Sequence, residues 1–292
     1  MFKGSLVALV TPFDSSNRVD YASLKGLIDF HAEQGSDGLV IAGTTGEAAT
    51  LSKAEHVEVI ARAVEYSAGR LPVIAGTGSN STAQTIDLSR DVADTGIDAY
   101  LLVVPYYNKP MQEGMYRHFS TIADAIDKPV MLYNVPGRTV ADMQAETVAR
   151  LSRHGNIFGI KEATGDIDRL KAIQDLVDDD FMLYSGDDFT LLPFIEQGGH
   201  GVVTVSGNVA PAAVARLCRL ALDGDLESAR ALDASLQPLN EALFVESNPI
   251  PVKWAVAELG LIEANLRLPL TDYDRQYHAP MRAAMVGAGV IF

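Results

Sequence analysis

Eight short aliphatic runs recur along the first 223 residues, and each is followed by a stretch with helical apolar spacing. The runs are SLVALVTP (5–12), GLVIAG (38–43), PVIAGTG (72–78), AYLLVVP (99–105), PVMLYNV (129–135), IFGIKEA (157–163), FMLYSG (181–186) and GVVTVSG (201–207). Helical patterns between them include 21–33, 53–67, 82–95 and 144–153. Alternating βα units with this regularity indicate a parallel sheet, and eight of them indicate a closed (β/α)8 TIM barrel of the α/β class. A doubly wound open sheet is the alternative. It would usually place a glycine-rich dinucleotide turn after an early strand, and the chain has no GxGxxG. Past residue 224 the alternation stops, and 225–244, 249–259 and 274–287 read as helices punctuated by prolines 238, 249, 251, 269 and 280. The expected division is 1–224, a barrel carrying the active site, and 225–292, a C-terminal helical extension for packing and subunit contact. Lys253, in PVKWA, reads as a helix lysine whose stem packs while its head reaches water.

At 292 residues, 48% of them hydrophobic and 21% charged, the chain is long and apolar enough to bury a large core. A net charge of −15 argues against nucleic acid or an anionic membrane as partner, although a small anion can still be held locally. Cys218 is the single cysteine, so there is no disulfide framework, which fits a reducing cytoplasm. Apolar stretches such as 99–104 fall far short of the ~20 residues of a membrane span. The opening MFKGSLVALVTPF is interrupted by Pro12 and reads as a first strand, not a signal peptide. The expectation is a soluble cytoplasmic protein.

One lysine stands within the eight strand runs. Lys161 stands in GIKEAT (159–164), inside an apolar run bounded by Asn156 and Gly165. An ammonium there is costly unless it is paired, lies at the open strand end, or is kept partly neutral. A neutral amine attacks a ketone to give a Schiff base. The alternative is a strand-end lysine paired with a carboxylate. Glu162 is a poor partner for it, because adjacent strand residues point to opposite faces.

Active sites of such barrels lie at the C-terminal strand ends, so the polar residues there matter most. After the second strand, AGTTGEAAT (42–50) offers two hydroxyls and successive N–H groups that can wrap a carboxylate or phosphate; an ordinary glycine loop would read the same. After the fourth comes PYYNKP (105–110), where one tyrosine must face away from its own core, as an interface tyrosine would. The fifth ends in YNVPGRT (133–139). Tyr133 shares the pleat phase of Met131 and Val135, as either a site hydroxyl or a buried structural ring, and Arg138 is either a carboxylate grip or a solvated loop residue. In SGDD (185–188) the aspartates read as caps of the next helix, and their charge disfavours a phosphate site. The six histidines have no metal spacing, and neither a GxSxG elbow nor a P-loop is present.

GLVIAGTTGEAATLSKAE (38–55), and YNVPGRT followed by GIKEAT, are together specific to one group of enzymes. Over essentially its whole length the chain resembles the dihydrodipicolinate synthase (4-hydroxy-tetrahydrodipicolinate synthase) family. The wider group of pyruvate-dependent class I aldolases also holds N-acetylneuraminate lyase. SNPIPVKWA (247–255), SGDD and GGHGVVTV favour the synthase branch. The resemblance implies that Lys161 forms the Schiff base with pyruvate, and that Tyr133, Thr44 and a Tyr107 from the neighbouring subunit relay protons. It implies that Thr45 holds the pyruvate carboxylate, that Arg138 receives the carboxylate of L-aspartate 4-semialdehyde, and that Gly186 and Val203 line the pyruvate pocket. It further implies a homotetramer built as a dimer of dimers, and chemistry with neither metal nor organic cofactor. Positions of the family's lysine-inhibition site correspond to Ala49, Lys53, His56, Asn80, Gln84 and Tyr106. Gln84 stands where feedback-sensitive relatives carry a glutamate, and Lys53 where they carry a histidine.

Two other functions share much of this pattern. A sialic-acid or keto-sugar-acid aldolase would keep Lys161, Tyr133 and the GTTGE turn and differ at the far end of the second substrate, where Arg138 favours a small anion. A silent barrel that senses a 2-oxo acid or amino acid would have no need of Lys161, Tyr133 and Thr44 together.

Overall fold

The computed structural model describes residues 2–290. Eight parallel strands close into one barrel in sequence order: β1 (Gly4–Ala8), β2 (Gly38–Ile41), β3 (Val73–Gly76), β4 (Ala99–Val103), β5 (Val130–Asn134), β6 (Ile157–Glu162), β7 (Met182–Ser185) and β8 (Gly201–Thr204). Around them lie α1 (Tyr21–Gln34), α2 (Lys53–Ser67), α3 (Thr82–Ala93), α4 (Gln112–Ala125), a single turn α5 (Pro136–Thr139), α6 (Ala145–Ser152), α7 (Ile167–Gln174), α8 (Leu191–Glu196) and α9 (Pro211–Leu222). Then come α10 (Leu226–Ala242), α11 (Ile250–Glu258) and α12 (His278–Gly287).

The pleat explains why these strands are apolar on both faces. Leu6, Ala8, Val40, Ile74, Leu101, Met131, Tyr133, Tyr184 and Val203 fill the barrel interior. Val7, Leu39, Ile41, Val73, Leu102, Leu132, Ile160 and Val202 pack outward in the larger core with the helices. Strand β6 breaks the alternation. Its register against β5 slips between Val130 and Met131, where two steps on β6 oppose one on β5. Phe158 therefore joins the interior cluster while Lys161, three residues on, also points inward.

Helix ends follow local capping chemistry. Asp20 caps α1 by accepting from the N–H groups of Ala22 and Ser23. Ser52 and Glu55 form a reciprocal capping box at α2. Lys253 apart, helix α11 is apolar and buried from Ile250 to Val256. This corrects the expectation for Lys253. Its side chain is fully buried, not stretched to water, because it meets the carboxylate of Glu47 at 2.6 Å inside the molecule.

Candidate active site

Lys161 and Tyr133 are direct register partners on β6 and β5, one layer below the C-terminal rim. Both are 7% exposed, and the Lys161 Nζ lies 4.2 Å from the centre of the Tyr133 ring. Among the described residues no carboxylate comes within 4.0 Å of that nitrogen, so the paired-lysine alternative does not hold. Glu162 turns away from it, as the pleat requires. Its carboxylate accepts from Asn134 Nδ2 (3.1 Å) and from the Thr164 N–H (2.8 Å), and burial pushes its carboxyl pKa up. Gly186, on the next rim position, is glycine for a spatial reason. A Cβ there would lie 2.9 Å from Lys161 Cε and 2.6 Å from Ala163 Cβ. The missing side chain leaves room for the lysine.

Above this pair opens a cavity of about 1010 Å³, lined among others by Thr44, Thr45, Tyr133, Arg138, Lys161, Gly186 and Asn248. The turn after β2 forms one wall. Its backbone is closed by Glu47 N–H to Thr44 O (3.0 Å) and Ala48 N–H to Gly43 O (3.2 Å). Ala42 (φ 54°) and Glu47 (φ 53°) both take the left-handed conformation, which side chains other than glycine adopt only when surrounding contacts hold them. Asn248, which precedes α11, donates from Nδ2 to Thr45 Oγ1 at 2.9 Å. Its Oδ1 is buried without a hydrogen-bond partner among the described residues. Arg138 on α5 is exposed, yet its Nη2 donates back to the Asn248 carbonyl at 3.1 Å, which holds a guanidinium at the rim. Phe189 and Phe244, ring centres 5.6 Å apart, add an apolar lip.

The remaining residues singled out from sequence fall in three places. Val203 sits deeper than the cavity wall, in the packed interior layer, while Val205 lines the cavity. Tyr107 is 90% exposed, has a φ of 72° and lies outside the cavity of its own chain. Ala49, Lys53, His56, Gln84 and Tyr106 line a continuation of the same cavity, and Asn80 borders it through Nδ2 to Tyr106 O (3.1 Å). Lys53 there is held by Asp87 (2.5 Å) and Asp91 (2.6 Å). His56 donates from Nε2 to the Gly76 carbonyl at 2.7 Å, with its pKa lowered chiefly by burial.

The two aspartates of SGDD divide their roles. Asp187 caps the following 3-10 turn through the Phe189 N–H. Asp188 does not cap it. Fully buried, it accepts from the N–H groups of Val205 (2.8 Å) and Ser206 (3.1 Å) and from the Thr204 hydroxyl, tying the ends of β7 and β8 together, and burial pushes its carboxyl pKa up. Asn248 is a further polar residue of the site that no catalytic motif in the sequence marks. Its signals in the sequence are an asparagine before proline and its place in SNPIPVKWA.

A closed eightfold barrel whose strand lysine has no ion-pair partner among the described residues and faces a tyrosine at the floor of a C-terminal cavity defines a class of (β/α)8 proteins built to hold a small carbonyl compound on an amine. The chain belongs to the dihydrodipicolinate synthetase family, whose model matches residues 1–287. It is 54% identical over 291 residues to a 4-hydroxy-tetrahydrodipicolinate synthase of Pseudomonas syringae pv. syringae, covering 100% of both chains. Its structure is similar to that of a chloride-inhibited dihydrodipicolinate synthase of Acinetobacter baumannii complexed with pyruvate, with a TM-score of 0.98, 47% identity and 100% of both chains covered. A lysine-bound relative from Cyanidioschyzon merolae gives a TM-score of 0.96 at 42% identity, with 99% of both chains covered.

Proposed function

We propose that this protein is a 4-hydroxy-tetrahydrodipicolinate synthase, a Schiff-base-forming lyase of the diaminopimelate route to lysine. The observation that carries this is Lys161, buried, inward-facing and with no carboxylate within 4.0 Å among the described residues, at the floor of a cavity in a chain whose full-length relatives bear that name. Its Nζ attacks C2 of pyruvate, and loss of water leaves an iminium. The iminium is an electron sink, so a C3 proton departs and an enamine forms. The enamine carbon attacks the aldehyde of L-aspartate 4-semialdehyde. The amine of the new chain then adds to the iminium carbon, closes the ring and expels the Lys161 amine. Tyr133, Thr44 and a Tyr107 from a second subunit pass the protons. Thr45 holds the pyruvate carboxylate, Arg138 that of the semialdehyde, and Gly186 leaves room in the pocket, with Val203 packed in the interior layer beneath it. No metal or organic cofactor enters these steps.

The outward Tyr107 supports a homotetramer arranged as a dimer of dimers, in which each relay is completed across an interface. The reacting groups are assigned to the barrel, residues 1–224, while the helical extension, 225–292, contributes Phe244 and Asn248 to the cavity wall. Among the described residues no helix is long and apolar enough to cross a membrane, and the lone Cys218 is buried and unpaired. Both support the placement in the cytoplasm.

Sugar-acid cleavage is the nearest competing activity, and Arg138 at the rim favours a small anionic aldehyde over a polyhydroxy chain. A coupled assay with pyruvate and aspartate semialdehyde, beside one for N-acetylneuraminate cleavage, separates them. Turnover in the first and none in the second is expected. The reverse would overturn the proposal.

A further inference from the structure

One buried ion pair lies behind the cavity wall and takes no part in the steps above. Glu47 and Lys253 have side chains 1% and 0% exposed, with Oε1 and Nζ 2.6 Å apart. The Lys253 ammonium also lies 4.1 Å from the centre of the Phe13 ring, and the second Glu47 oxygen accepts from the Arg267 N–H at 3.1 Å. Every strong group of the pair is therefore partnered. A buried ion pair is a poor device for stability alone, since an apolar pair of similar volume commonly does as well or better. What it supplies is a fixed direction and distance.

Both ends of that distance bear on the site. Glu47 closes the turn that carries Thr44 and Thr45, and it holds a left-handed backbone. Lys253 is in α11, and Asn248, just before that helix, donates to Thr45 Oγ1. One helix thus grips one turn at two points, through an ammonium on Glu47 and an amide on Thr45. Thr11 adds a third tie by donating from Oγ1 to the Gly46 carbonyl at 2.7 Å.

We propose that Glu47 and Lys253 are positioning residues, which set the Thr44–Thr45 turn at the height that receives the carboxylate of the 2-oxo acid. The proposal rests on the reading of Lys161 as the pyruvate nucleophile. Such a pair acts first on pyruvate recognition; the second substrate, held by Arg138 on α5, is linked to it only through the Arg138 hydrogen bond to the Asn248 carbonyl. A merely structural pair would instead lower thermal stability and move all kinetic constants together.

The test compares wild type with E47Q, K253M and the double variant E47Q/K253M, which leaves no buried charge and stays measurable should a single variant fail to fold. For each, KM for pyruvate, KM for aspartate semialdehyde, kcat, and the pyruvate concentration giving half-maximal borohydride trapping on Lys161 are measured. The expected result is a rise of roughly ten-fold or more in pyruvate KM and in half-trapping concentration, the scale of one hydrogen bond to a charged group. Semialdehyde KM should change less than about three-fold. Trapping with wild-type half-saturation, or equal changes in both KM values, overturns the positioning role. Failure of wild type itself to be trapped at any pyruvate concentration overturns the Lys161 reading, and the proposal with it.

Discussion

Arg138 shows how little a single side chain's exposure says about its role. It is exposed on a one-turn helix, yet a hydrogen bond to the Asn248 carbonyl holds its guanidinium at the cavity rim. A charge-assisted contact from such a group is worth roughly 1.5–3 kcal/mol, or about 10- to 150-fold. Arg138→Ala should therefore raise KM for aspartate semialdehyde by that order while pyruvate KM stays nearly constant. Equal movement of both would make the arginine structural and restore the sugar-acid reading. Lys161 was legible from sequence because its oddity is local, one ammonium in an apolar strand. Lys253 was not, since its partner lies 206 positions away and a lysine on a helix ordinarily snorkels. Asn248 escaped for the same reason: it reaches Thr45 across 203 positions.

At the scale of elements, the eight strands were legible because periodicity and length separate them from the helices between. Their C-terminal ends were not. In the run read as 5–12 the strand stops at Ala8, and the run read as 38–43 stops at Ile41 because Ala42 turns left-handed. Those final residues leave the ladder to build the rim, so extended backbone alone could not distinguish strand from mouth. The β6 irregularity was likewise hidden, since nothing in IFGIKE marks where its partner slips. Helix α1 carries a consequence for pH. His31 is fully buried, its Nδ1 meets Ser36 Oγ at 3.0 Å, and burial lowers its pKa to about 3. His118 on α4 is lowered to about 4 for the same reason. Between these values and the ordinary 6.5, the unfolded chain binds protons that the folded chain does not. The stability they confer is complete above about pH 6.5 and is lost as pH falls toward 3. Melting temperatures should drop across that window, and a His31→Gln variant, which cannot take up the proton, should drop less steeply. An identical slope in the variant would show that His31 has no part in it.

For the whole molecule, one cavity runs from Lys161 to Lys53 and Gln84, so any ligand at the far end shares a wall with the catalytic end. A lysine ligand there would offer its ammonium to the neutral amide of Gln84, while Asp87 and Asp91 are already engaged by Lys53. Replacing a charged partner by a neutral one costs on the order of 1–2 kcal/mol, roughly ten-fold in affinity. Titrating L-lysine into the coupled assay should accordingly give weak inhibition or none, and half-inhibition well below millimolar would contradict this. Assembly is the scale least open to sequence reasoning: the adjacent tyrosines 106 and 107 announce that one must face outward, but not what it meets.

In the proposed reaction Lys161, and no other lysine, carries the pyruvate. Incubation with pyruvate and borohydride, followed by digestion and mass spectrometry, reads this directly. A stable pyruvate-derived mass on Lys161 alone is the predicted result, absent from Lys161→Ala although that variant stays folded. A label on Lys253 or Lys109, or no label at all, would rule out Lys161 as the Schiff-base lysine.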